Sequence, residues 1–159
     1  MLRVFLIATL LACNPKSKTD DVQIQKMIIK MGQSYKIDLE KETYTVYFMN
    51  GTSYDCKFTL NNQEKTDINE MAKECGFTKL QGNVRIEDEC RMFPKVMTEL
   101  SFYAGNNHVQ VSIDAGCSKH PWIKDQEADG IVKFLKFLNE KVMVKPEVAK
   151  APQTDIRYM

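Results

Sequence analysis

Polar and apolar residues alternate along several short stretches of the chain, and a period of two marks strands with one buried face. The longest such stretch sets Val96, Thr98, Leu100 and Phe102 against Met97, Glu99, Ser101 and Tyr103. After a turn at Gly105-Asn106-Asn107, Val109, Val111, Ile113 and Ala115 alternate with Gln110, Ser112 and Asp114. Earlier, residues 35–39 and 44–48 are rich in strand formers, and Asn50-Gly51, both tolerant of positive φ, turns the chain back. The return strand sets Tyr54, Cys56, Phe58 and Leu60 against Asp55, Lys57 and Thr59.

Two stretches switch to the helical period. From Asp67 to Gly76, Ile68, Met71, Ala72 and Cys75 fall on one stripe, with Asp67 as cap, Glu70 three residues on, and Gly76 at the stop. A longer helix from about 125 to 143 carries Ala128, Ile131, Phe134, Leu135, Leu138 and Val142 on its apolar side. Residues 22–31 fit both periods: Ile24, Met27, Ile28 and Met31 make a helical stripe, whereas Val22-Gln23-Ile24-Gln25 alternates. Residues 77–93 read as a long connection. The expected fold is α+β: an antiparallel sheet of four to five strands, two helices on one face, and two disulfides. Strand, turn, strand and helix occur twice in order, but the two units share little sequence, so the layout is not read as a duplication.

The start of the chain is an address. Arg3 is followed by the apolar run Val4–Ala12 and then Cys13, too short a run to span a bilayer but suited to a secretory signal. The ending Leu10-Leu11-Ala12-Cys13 resembles the lipobox of bacterial lipoprotein precursors, with Leu11 bulkier than the small residue usual there. That resemblance implies cleavage before Cys13, acylation of its thiol, and attachment to a membrane of the cell envelope, the outer membrane being favoured because Asn14 follows the cysteine. A soluble secreted protein cut after Ala12 is the alternative. The expected organisation is then a signal peptide over 1–12, a lipidated tether over 13–21, one α+β domain over 22–143 and a loose tail over 144–159. In layout, residues 35–142 resemble small exported domains of unknown function found in bacterial lipoproteins, a resemblance that carries over no catalytic residue.

Charge narrows the function classes. Loss of residues 1–12 removes Arg3, so the basic count drops by one from 22 and equals the 21 acidic residues. A chain with no excess of cations lacks the electrostatic basis of nucleic-acid binding, so no nucleic-acid partner is expected. Beyond Cys13 the cysteines are Cys56, Cys75, Cys90 and Cys117, and an even number in an exported chain is read as two disulfides. A helix packed on the sheet brings Cys75 of the stripe toward the inward face of the Cys56 strand. Cys56–Cys75 is therefore the expected pair, with Cys90–Cys117 by exclusion.

The familiar catalytic motifs are absent: no Gly-rich phosphate loop, no G-x-S-x-G and no H-E-x-x-H. The only two histidines are His108, just after a turn, and His120. Cys117-Ser118-Lys119-His120-Pro121-Trp122 has C-x-x-H spacing, which fits two metal ligands or a thiolate beside a base. Oxidation of Cys117 in an exported chain outweighs that reading, so neither a metal nor a cofactor is expected. Tyr47 and Tyr103 lie on the parity opposite the core and, with Trp122, are the candidate interaction surface. The expectation is a lipid-anchored, non-catalytic module that binds an unknown protein partner. An inhibitor or immunity protein acting on a periplasmic enzyme, and a small thiol or metal-dependent enzyme using Cys117 and His120, are the alternatives.

Overall fold

The computed structural model describes residues 22–86, 96–114 and 126–157. The strands are β1 (Val22–Met31), β2 (Tyr35–Asp38), β3 (Thr43–Tyr47), β4 (Ser53–Lys57), β5 (Asn83–Ile86), β6 (Met97–Ala104) and β7 (Asn107–Asp114). The helices are α1 (Asn62–Glu74), α2 (Gln126–Met143) and the single turn α3 (Pro146–Ala149), with a 3₁₀ turn at Phe77–Lys79. The seven strands of the described residues form one sheet in the order β4-β3-β2-β1-β6-β7-β5. Every neighbouring pair is antiparallel except β5 and β7, which run parallel.

The fold is α+β, but its sheet is larger than the four or five antiparallel strands expected, and it is mixed. The two additional strands are β1, from the segment that fitted both periods, and β5, from the stretch read as a connection. The ambiguity of residues 22–31 has a structural cause. Against β6, Gln23 pairs with Tyr103 but Ile28 already pairs with Ser101, so extra β1 residues are accommodated in a bulge. That interruption breaks the period of two and counterfeits a helical stripe, although the segment is the central strand. β5 is only four residues long and runs along the outer side of β7, where four residues give little periodic signal.

Cross-strand register defines two unlike faces. One row passes through Cys56, Tyr44, Ile37, Ile29, Leu100, Val111 and Val84. Tyr44, Ile37, Ile29, Leu100 and Val111 of that row are buried, in one cluster with Ile68 and Ala72 of α1 and Ala128, Ile131, Phe134, Leu138 and Val142 of α2. Both long helices thus cover this face, and the α2 stripe is the one its sequence predicts, Leu135 being the half-buried member. Phe77 sits at the junction, its ring centroid 5.1 Å from Phe102 of β6 and 4.5 Å from Phe134 of α2. Buried aromatic rings of this kind contribute most of the area that holds a helix to a sheet.

Helix α1 begins a turn and a half before the expected Asp67. Asn61 is the cap: its side chain accepts from the Glu64 N–H, and the Glu64 carboxylate accepts from the Asn61 N–H at 2.8 Å. Asp67 instead binds Lys141 of α2 at 3.1 Å, beside a Lys145–Glu64 pair at 2.6 Å. These two bonds tie the start of α1 to the end of α2.

The expected Cys56–Cys75 disulfide is not formed; both thiols are free. Parity did put Cys56 on the helix side, but β4 is the edge strand, and the element packed on it is α3, not α1. Cys75 caps the far end of α1 where that helix meets α2 at Gly130, so the two thiols face different neighbours. Cys90 and Cys117, the other expected pair, lie outside the described residues. Residues 144–157 carry more structure than the expected tail. Beyond α3, the Thr154 hydroxyl donates to the Tyr47 carbonyl at 2.6 Å and Asp155 accepts from the Met49 N–H at 2.8 Å, pinning the segment to the β3–β4 hairpin.

Candidate functional site

Among the described residues no helix packs on the second face of the sheet, which presents the polar half of the alternation. Its best-organised region lies over β1, β6 and β7. The β6–β7 hairpin turns through two residues, Gly105 and Asn106, with Gly105 at φ 60°. That turn sets Tyr103 opposite His108 and Ser101 opposite Gln110. Side chains diagonal to one another on a sheet are within reach, and Ser101 Oγ lies 2.7 Å from His108 Nε2. The Tyr103 and His108 rings meet at 5.1 Å, tilted by 51°.

From the neighbouring strand, Lys26 lies within the bulged stretch of β1 and places Nζ 5.7 Å from the Tyr103 ring centre, a cation–π contact. A bulge that re-aims a side chain next to a site is a common use of the irregularity. Beside this cluster a groove of about 280 Å³ includes Ile28, Lys30, Glu99, Ser101, Gln110 and Ser112 and also borders Leu100 and Val111 of the core. Its only ion pair among the described residues runs across it, Lys30 to Glu99 at 3.8 Å, with both side chains more than half exposed.

The chemistry available is hydrogen bonding and stacking. A serine beside a histidine is the first half of a nucleophile–base pair, but that pair needs a third group orienting the base and a site closed to water. His108 is exposed, and among the described residues no carboxylate contacts it. No group of three or more His, Cys, Asp or Glu side chains suited to a metal ion occurs among the described residues. The two described thiols are not activated. Burial pushes the Cys56 thiol up, helped by Glu147 and Asp55. Burial also pushes Cys75 up, with Lys133 acting in the opposite direction. Both are therefore thiols and not thiolates at neutral pH.

A second cleft, about 420 Å³, opens between α1 and the β2–β3 turn and includes Glu40, Glu42, Asn62, Lys65 and Asn69. Lys65 bridges to Glu42 at 2.8 Å, while Lys26 and Glu40 are the cleft's other charged residues. Asn69 Oδ1, at the edge of this cleft, is buried without a hydrogen-bond partner among the described residues.

Of the sequence-derived surface residues, Tyr103 is 39 % exposed on the open face and Tyr47 is half-buried on the same face. The two are not neighbours. Three strand spacings and six residues of strand separate them, roughly 25 Å. Trp122 lies outside the described residues, as do Cys13, Cys117 and His120. Sequence reasoning placed His108 only as a residue after a turn; its contact with Ser101 follows from the register. Neither the protein-family models nor the curated proteins searched include a match to this chain.

Proposed function

We propose that the chain is a non-catalytic binding module, held at a membrane of a bacterial cell envelope by lipid on Cys13, and that the open sheet face is its contact surface. The observation that carries this reading is the one-sided sheet. Among the described residues both long helices pack on one face, while the other carries the grooved Lys26–Tyr103–His108–Ser101 surface. The lipobox-like Leu10-Leu11-Ala12-Cys13 supports the anchor. An anchor lets a weak face suffice, because confinement at the membrane raises the effective concentration of the module to about the millimolar range.

Two measurements test this. Metabolic labelling with palmitate should mark the protein and leave the Cys13→Ser variant unlabelled; an unacylated product cut after Ala12 overturns the anchor. Sedimentation of Cys13→Ser protein with isolated envelopes should fall when Gln110→Lys puts a charge into the groove, with the unfolding midpoint unchanged. Equal binding by the two proteins removes the open face from the reading.

A further inference from the structure

We infer that the groove on the open face binds a neutral polysaccharide, with a sugar ring against Tyr103 and its hydroxyls bonded by Ser101, Gln110 and Ser112. The inference rests on the binding reading above and names the ligand class.

Three other classes fit the surface less well. A polyanion needs unpaired cation excess, whereas the chain beyond residue 12 is balanced and the one ion pair in the groove neutralises itself across 3.8 Å. A protein interface is centred on apolar and aromatic anchors sealed by a polar rim; Leu100 and Val111 border the groove but are buried in the core, which leaves Ile28, with Tyr103 beside it, as its large exposed-face apolar side chains among the described residues. An enclosed small ligand takes a pocket of about 300–1,000 Å³ that wraps most of its surface, and this groove, at about 280 Å³, falls below that range.

What the groove offers is a row of neutral groups that both donate and accept: two hydroxyls and a carboxamide, with the His108 ring at its end. Ser101 and Gln110 stand directly opposite each other, and Ser112 faces Glu99 on the next rung, so the donors and acceptors form a short ladder. At the end of the ladder stands Tyr103, a residue 39 % exposed. A sugar matches this division, since its ring carbons form an apolar face and its hydroxyls a polar rim. Lys26, which stands over the Tyr103 ring, is exposed and can move aside.

The test uses Cys13→Ser protein, so that the acyl chain does not itself hold it to membranes, and envelope fractions left untreated, digested with protease, or oxidised with periodate to open vicinal diols. Binding should survive protease and be lost after periodate. Tyr103→Ala should weaken it on the order of tenfold and Tyr103→Phe should leave it unchanged, with unfolding midpoints showing all variants folded. Gln110→Lys gives a second variant should Tyr103→Ala not fold. Loss of binding on protease treatment overturns the ligand class and leaves the binding reading standing. Binding unaffected by periodate also overturns the ligand class. Absence of binding to every fraction, or binding indifferent to both Tyr103→Ala and Gln110→Lys, overturns the two together.

Discussion

Gly130→Ala tests the packing that joins the two long helices. In an exposed helix interior this exchange stabilises by about 1 kcal/mol, because alanine loses less backbone freedom. At Gly130 the added Cβ meets backbone. It would stand well inside 3.0 Å of the Cys75 carbonyl oxygen and 3.3 Å from its carbonyl carbon. Neither atom belongs to a side chain that can rotate away, so α1 and α2 must separate by something near an ångström at their crossing. The ion pair Lys141–Asp67 holds the same two helices together elsewhere, Lys145–Glu64 ties α1 to the residue that leads into α3, and both resist that shift. Overpacking costs about 1–3 kcal/mol, and a contact this short against backbone belongs at the upper end, so the net effect is a loss of about 2 kcal/mol, or a fall of roughly 4–8 °C in Tm. Urea unfolding followed by circular dichroism reads it directly. Gly76→Ala is the comparison: its φ of 82° strains any side chain, yet no atom lies within 4 Å of the added Cβ, so its cost is purely conformational. A Gly130→Ala protein as stable as the parent, or more so, refutes the account of a close helix crossing.

Tyr44 is 3 % exposed, and burial, then the proximity of Tyr35 and Cys56, pushes its hydroxyl up to about 12. Its folded-state value is raised, so its contribution is complete below the ordinary value of 10.0 and is lost as pH rises toward 12; Tyr44→Phe should remove a slope of order 2 kcal/mol from an alkaline stability profile. Glu64 is shifted the other way: its bond to Lys145 holds the carboxyl below the usual 4.5, so that stability is present above 4.5 and lost as pH falls through the depressed value. Glu64→Gln should cost about 1–2 kcal/mol near neutrality and flatten the acid limb of the profile, as read by denaturant unfolding at a series of pH values. Cys56 and Cys75 should take up iodoacetamide in the unfolded protein without prior reduction, which mass spectrometry of peptides detects; labelling that requires reductant would show them oxidised.

The buried half of the fold was the legible half. Parity along residues 96–115 and the stripe of α2 record one physical fact, that each element has a single side facing the core, and a side chain's period reports it whatever the neighbours are. The elements misread are those in which something else intervenes. In β1 the bulge resets the period. At α1 both Asn61…Glu64 and Asp67…Glu70 offer a cap and an acid three residues on, and the earlier one prevails because Glu64 also gains Lys145, 81 residues away in the chain. The Cys56–Cys75 pairing failed for a related reason: parity assigns a face, and α3 covers that face at the edge strand.

The open face was harder to read because its contacts depend on register, not on period. Read as a three-residue turn, Gly105-Asn106-Asn107 would set Ala104 opposite His108 and carry Tyr103 to another partner. The two-residue turn, with Gly105 at the positive φ that glycine adopts without strain, pairs Ala104 with Asn107 and so brings His108 beside both Tyr103 and Ser101. One residue of loop length thus decides whether the hairpin's polar side carries an organised cluster or a scatter of solvated groups, since a shift of one position in register moves every side chain to a new neighbour. Lys26 joins the cluster through the bulge that hid β1 from the periodic reading. The two irregularities that defeat pattern reading, a short turn and a bulge, are therefore the two devices that build the surface. A pattern of alternation identifies which side chains face solvent, and only the register identifies which of them act together.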